Sequence, residues 1–283
     1  MENNSIKDNL SKEDMISDIL LCLGADIHRE NIYLVVEGSD DIKFLRSFLA
    51  DNVYIYDSYD GKSGVEYIVG ERFATNNRVI GIRDRDYQIT PISNKVFYYD
   101  YSCMEMMIIK NNDVLKNLCA EYYSGEKNFL QLRMDVLKEL KYLSVIRMYN
   151  EREEWGKTIR GISINLAWNN DEKKIDNRCI LNKINQINNG FFKDDVLQKI
   201  EEEYRSEWSE EKFFHYTQGH DFFMLFAAIC NQYRTKGINH TEIEASSRCI
   251  FRQSDFQNTD LYNKLNTYEN LHHLKICNVM MST

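Results

Sequence analysis

The stretch Arg78 to Tyr87, RVIGIRDRDY, constrains this chain more than any other: an apolar run ends abruptly in two aspartates one residue apart. Val79, Ile80 and Ile82 are β-formers bounded by polar residues, the pattern of a central parallel strand covered on both faces. Asp84 and Asp86 then fall at or just past its carboxyl end, where open α/β sheets place their ligands. Extended residues two apart point the same way, so both carboxylates can face one cation. A hard divalent ion such as Mg²⁺ is the usual neutraliser of two carboxylates held together. A plain strand-to-turn exit explains the tripeptide equally well, because aspartate is common in turns.

A second acidic strand end lies upstream. Ile32 to Val36 is a compact strand followed at once by Glu37-Gly38-Ser39-Asp40-Asp41 and by a helical stripe of Ile42, Leu45, Phe48 and Leu49. Glu37 ends the strand, Gly38 permits a tight turn, and Ser39 or Asp40 is placed to cap the helix. Val53 to Tyr56 is another short strand, DGKSG leads into a helix near Val65 to Phe73, and a turn at Pro91 precedes a strand within Lys95 to Tyr99. Ahead of all this, Met15, Ile16, Ile19, Leu20 and Leu23 form a helical stripe that Gly24 is placed to stop. The order predicts an α/β fold, a mostly parallel sheet flanked by helices. Asp100 leads into a helix from Met104 to Leu118 with Glu105 in its first turn, where the helix dipole favours an anion and a simple helix-end charge is the plain alternative.

With 43% hydrophobic and 28% charged residues the chain is globular, and no run approaches the roughly 20 apolar residues of a membrane span. The amino-terminal MENNSIKDNLSKED has no basic region leading into an apolar core, so the expected location is cytoplasmic. A formal charge of −9 argues against a broad electrostatic grip on nucleic acid while leaving a local one open. Residues 1 to 110 hold 12 basic and 19 acidic side chains against 23 and 25 in the remainder, so the acidic excess accompanies the two strand ends. Cys22, Cys103, Cys119, Cys179, Cys230, Cys249 and Cys277 show no CxxC pair and read as reduced thiols, mostly core filling.

Beyond residue 110 the pattern turns helical, which divides the chain into residues 1–110 and a mainly helical domain at 111–283. Phe129 to Tyr149, Val196 to Tyr204, Ile243 to Phe251 and Leu261 to Leu274 carry apolar stripes; GISINLAW at 161–168 is either an isolated strand or an extended connection. Asp221 to Tyr233 is apolar almost all round and should be the buried centre. Just before it, His220 follows Gly219 at the expected helix start, where an imidazole can contact phosphate or orient a water. The plainer alternative is that Asp221 caps the helix and His220 is an ordinary polar residue. Lys62, Arg83 and Arg85 are candidates to grip a substrate phosphate, and Arg133, Lys138, Lys141, Arg147, Arg152, Lys157 and Arg160 form a weak basic bias diluted by acids. Most of the eighteen tyrosines suit core and interface positions better than stacking on bases.

VVEGSDDIKFL resembles the first motif of the Toprim domain, a glutamate after a strand followed by glycine and, four positions on, an aspartate, here Asp41. IGIRDRD resembles its Asp-x-Asp motif after a later strand, and YDYSCMEMM with Glu105 is similar to the small Toprim-type proteins of bacterial anti-phage defence. Among these are the effector nuclease of PARIS-type systems and relatives of the overcoming-lysogenization-defect nucleases. The resemblance covers residues 31 to about 110. It implies metal-dependent phosphodiester chemistry, with Glu37 as ligand or general acid/base, Asp84 and Asp86 holding Mg²⁺ or Mn²⁺, and Asp41 and Glu105 completing or orienting the site. It also implies a toxic effector that cleaves nucleic acid, tRNA before DNA, under the control of an ABC- or AAA-like ATPase partner, and a homodimer when active. Two other classes stay open: a haloacid-dehalogenase-type phosphatase, in which Gln88 stands where threonine is normal, and a non-catalytic acidic binding or sensor module.

Overall fold

Four short apolar runs build the sheet: Ile32–Val36 (β1), Val53–Asp57 (β2), Val79–Arg83 (β3) and Val96–Tyr98 (β4). They pair in the order β2-β1-β3-β4, all parallel, with Tyr33 opposite Val79 and Gly81 opposite Val96. Every residue of β1, β3 and β4 is buried, as expected of strands covered on both faces. The computed structural model describes residues 10–88, 92–159, 162 and 164–278, so the expected turn at Pro91 lies outside the described residues.

Alternation along the strands assigns the two faces. Tyr33, Val35, Val79 and Val96 share one face with Ile16 and Ile19 of Lys12–Ala25 (α1) and with Val65, Ile68 and Val69. Val65 belongs to Gly61–Glu66 (α3), which widens into a π-helical turn over Tyr67–Arg72, while Ser39–Leu45 (α2) follows β1. Helix α3 sits so close that a Cβ on Gly81 would lie 2.7 Å from Val65 Cγ1, which is why β3 carries a glycine at its centre. Gly24 does not stop α1; the helix runs to Ala25 and ends at Asp26, whose N–H donates to the Cys22 carbonyl.

The chain divides into two compact units, Met1–Asp100 with Arg252–Thr283, and Tyr101–Phe251. The boundary expected at residue 110 therefore falls at 100, and the carboxyl-terminal helices join the sheet instead of the helical domain.

In the second unit the expected helix from Met104 to Leu118 is two, Met104–Lys110 (α4) and Asn112–Tyr122 (α5). The break is made by Asn111, whose side chain accepts from the N–H groups of Asp113 (2.9 Å) and Val114 (3.2 Å). The next predicted helix also splits, into Phe129–Glu139 (α6) and Lys141–Arg152 (α7). Where GISINLAW was open between strand and connection, Ile164–Ala167 (α8) is a short helix, and Trp168–Asn169 (β5) pairs antiparallel with Lys174–Ile175 (β6). Asn177–Ile187 (α9), Asp194–Arg205 (α10) and Glu210–Tyr216 (α11) lead to Gly219–Asn231 (α12) and His240–Ile250 (α13). Phe222, Phe223, Leu225 and Phe226 of α12 are fully buried, as its near-uniform apolar sequence predicts.

The chain then returns to the first unit through Gln253–Gln257 (α14) and Asp260–His272 (α15). On the sheet face opposite α1, Phe97 meets Tyr268 edge-on at 5.5 Å, and Phe48 stacks on Phe256 at 4.7 Å. The Asp100 carboxylate accepts from the N–H groups of Asp260 and Leu261, both at 2.9 Å, and so caps α15. Leu49 forms an antiparallel bridge with Cys277, and the Ala50 N–H donates to the Ile276 carbonyl at 2.9 Å.

Candidate functional site

Register puts the first two acids together. Val36 stands opposite Ile82 in adjacent parallel strands, so Glu37 and Asp84, each just past its strand, emerge at the same carboxyl-terminal edge of the sheet. The Asp84 N–H donates to Glu37 Oε1 at 2.9 Å. Asp41, in the first turn of α2, accepts from the Gly38 N–H at 3.0 Å through Oδ2 and from the Tyr99 hydroxyl at 2.8 Å through Oδ1. The capping expected of Ser39 or Asp40 is thus done from inside the helix by Asp41, because Gly38 at the cap has no side chain. Asp40 turns outward to Lys43 at 2.8 Å.

Asp84 and Asp86 do not stay in extended register. The strand ends at Arg83, and Asp86 adopts a left-handed backbone conformation, φ 51°, which aspartate tolerates better than most residues. Asp86 Oδ2 lies 3.4 Å from Lys62 Nζ and 3.8 Å from an Arg83 guanidinium nitrogen. Arg83 is 0% exposed and is occupied inside the unit: it pairs with Glu66 at 3.0 Å, donates to the Asp84 carbonyl at 3.0 Å and to Gln88, and lies over the Tyr98 ring. A role for Arg83 in gripping substrate is therefore replaced by a structural one, fixing the segment that carries Asp84 and Asp86.

Electrostatics tie these acids into one pocket. Burial raises the Glu37 carboxyl, the neighbouring charges of Asp86 and Asp41 raise it further, and the Asp84 N–H and Arg83 only partly offset them, leaving it at about 7. All the donors are oxygens, and the negative charge is in excess of what Lys62 and Arg83 neutralise, so the residues present fit a hard dication such as Mg²⁺ or Mn²⁺. Gly61 lies beside Glu37 Oε2, and its φ of 54° is the left-handed conformation that favours glycine there.

Glu105 and His220 belong to the second unit. A Cβ on Gly219 would lie 2.9 Å from Glu105 Oε2 and 3.0 Å from Cys103 Sγ, and the Gly219 N–H donates to Cys103 Sγ at 3.2 Å. Burial raises the Glu105 carboxyl, and the charge of Glu244 adds to the effect. His220 Nδ1 lies 3.2 Å from Glu244 Oε1, and its ring meets His240 edge-on at 4.7 Å between centroids. Asp221 does not cap α12: Gln218 holds the cap position, and Asp221 forms a two-point pair with Arg147 at 2.9 and 3.0 Å. His240 and Glu244 were not singled out from sequence; their i, i+4 spacing in HTEIE is the signal that marks them.

Of the basic residues between 133 and 160, Lys138 and Arg152 are exposed while Arg133, Lys141 and Arg147 are engaged inside the unit. Arg133 is buried, bonded to Glu210 at 2.8 Å and to the carbonyls of Ile109 and Lys110. Lys141 donates to the Ser206 carbonyl, Arg147 is held by Asp221, and Arg160 lies outside the described residues. All seven cysteines are free, four of them buried. No helix among the described residues is long and apolar enough to cross a membrane. No protein-family model matches the chain, and no curated protein matches it either.

Proposed function

We propose that the sheet unit is a Toprim-type, metal-dependent nuclease that hydrolyses phosphodiester bonds, with RNA, and tRNA in particular, favoured over DNA. One observation carries the reading: Glu37 and Asp84 emerge side by side from neighbouring parallel strands, and Glu37 shares its pocket with the charges of Asp86 and Asp41. The Glu-x₃-Asp and Asp-x-Asp motifs that resemble the Toprim family are the residues so assembled.

Asp84 and Asp86 are the residues to hold Mg²⁺, with Glu37 and Asp41 beside them, and a bound ion supplies charge neutralisation of the phosphate and activation of water. Glu37 is the proton carrier. Its carboxyl stands at the strand edge with Asp84, and its Oε1 is oriented by the Asp84 N–H at 2.9 Å, which fixes the position from which it exchanges a proton. Lys62, held by Asp86, places a cation at the same edge for a phosphate oxygen. By the same resemblance, an ATPase partner restrains the toxic activity, and pairing of two copies allows both strands of a duplex to be cut.

The decisive experiment incubates the purified chain, Glu37→Gln and Asp84→Asn with total tRNA, plasmid and single-stranded DNA, with and without Mg²⁺ or Mn²⁺. Metal-dependent cleavage should fall by roughly 10²- to 10⁴-fold in Glu37→Gln and at least as far in Asp84→Asn. Cleavage that survives both substitutions overturns the reading. A non-catalytic module is the second reading, favoured by the pairing of Asp86 with Lys62 and Arg83, which offsets part of the acidic charge without any metal. It predicts no cleavage with any partner added and no toxicity on expression, whereas a restrained nuclease is toxic as wild type and harmless as Glu37→Gln.

A further inference from the structure

Among the described residues, one group of His, Cys, Asp or Glu brings three ligand atoms within 4.8 Å of one another, and it lies in the helical unit: His220, His240 and Glu244. Helix packing assembles it. His240 is the first residue of α13 and Glu244 stands one turn later on the same face, while His220 is the second residue of α12. The Glu244 carboxylate is nearly buried, 10% exposed at the side chain, whereas His220 is 62% exposed, so the cluster has a fixed floor and an open mouth.

We propose that His220, His240 and Glu244 form a binding site for a borderline transition-metal dication, Zn²⁺ in the first instance, separate in chemistry from the all-oxygen acid set of the sheet unit. Distance supports it first. Ligands at the 2.0 to 2.2 Å typical of zinc stand about 3.3 Å apart along a tetrahedral edge, and His220 Nδ1 to Glu244 Oε1 is already 3.2 Å. No pair of ligand atoms is more than 4.8 Å apart, and the two imidazoles that must approach are exposed or partly so.

Donor type comes second. Two imidazole nitrogens and one carboxylate select Zn²⁺ and its neighbours and reject Mg²⁺, which prefers oxygen and gives up water reluctantly. Three protein ligands leave a coordination position for water or another small donor on the exposed side.

Charge comes third, and it acts in both directions. The amino-terminal ends of α12 and α13 carry positive partial charge that disfavours a cation. The Glu244 carboxylate opposes it from within the cluster, 3.2 Å from His220 Nδ1.

The test uses the full chain after dialysis against a chelator, titrated with Zn²⁺ alone in competition with a chromophoric chelator. One equivalent should bind. His220→Ala and His240→Ala, both at partly solvated positions, should each weaken it by more than the roughly 10- to 100-fold that a lost supporting hydrogen bond costs. Glu37→Gln and Asp84→Asn should leave it unchanged. Co²⁺ in place of Zn²⁺ should give the visible absorption of a four-coordinate nitrogen and oxygen site, lost in the same histidine variants. Unchanged Zn²⁺ affinity in both histidine variants, displacement of Zn²⁺ by Mg²⁺ at comparable concentration, or a thiolate-to-cobalt band in the near ultraviolet would each overturn the site.

Discussion

The two polar centres of this protein are built by different means. In the sheet unit the donors stand at the ends of adjacent parallel strands, so backbone register alone brings Glu37 beside Asp84. In the helical unit the donors come from one turn of α13 and the first turn of α12, so side-chain packing between helices brings His220 to Glu244. In the first centre burial, reinforced by the like charges of Asp86 and Asp41, lifts a carboxyl toward neutrality; in the second, the histidine gains a carboxylate partner that favours its protonated form. A strand-end site therefore tolerates repulsion because the sheet enforces it, whereas a helix-face site needs partners that attract.

That contrast is open to attack in order of effect. The helical unit should depend most on paired charge: Arg147→Met leaves Asp221 alone with 5% of its side chain exposed and should cost about 3–5 kcal/mol in denaturant unfolding. A loss below 1 kcal/mol would show that packing around α12, not the ion pair, carries that unit. The burial of Glu37, with the repulsion around it, should appear as a pH dependence in the metal-free protein. The folded Glu37 carboxyl, at about 7, lies above its ordinary value of 4.5. The native state then holds the proton more tightly, so this contribution is fully present below pH 4.5 and is lost as pH rises through 7. The span corresponds to about 3 kcal/mol, and Glu37→Gln should flatten that slope in melting curves between pH 5 and 8. An unchanged slope would mean that neither burial nor the neighbouring acids perturb Glu37.

Smaller changes sharpen the picture of each scaffold. Gly81→Val drives a side chain into Val65 and should cost roughly 1–3 kcal/mol as an overpacked core; unchanged stability would mean α3 rides off the strand freely. Asn111→Ala removes the cap that separates α4 from α5 and should cost about 1 kcal/mol, measurable as a shift in denaturant midpoint at constant slope.

The parts of the fold visible in sequence are those whose pattern is local. β1 and β3 are uninterrupted apolar runs, and the acids after them announce their own position. Helix breaks at Asn111 and Leu140 are hidden because the apolar stripe continues across them. Helix α9 is legible in the i, i+4, i+7 spacing of Ile180, Ile184 and Ile187, although Asn177, Asn182 and Asn185 lower its intrinsic propensity. An amphipathic pattern also does not name the surface it covers, so α14 and α15 read as part of the helical domain although they pack in the sheet unit. Among site residues, Arg83 looked available because alternation says nothing of total enclosure, and the His220 cluster was half visible, since nothing in the sequence joins residue 220 to residue 240.

The return of the chain at residue 252 has a consequence for synthesis. The strands carrying Glu37 and Asp84 are made early, yet Phe48, Phe97 and the Leu49 bridge wait for partners that follow the whole of Tyr101–Phe251. At about 5–20 residues per second the insert delays completion of the sheet unit by on the order of 10 s. A ribosome-bound chain thus leaves Phe48 and Phe97 uncovered until α14 and α15 have emerged.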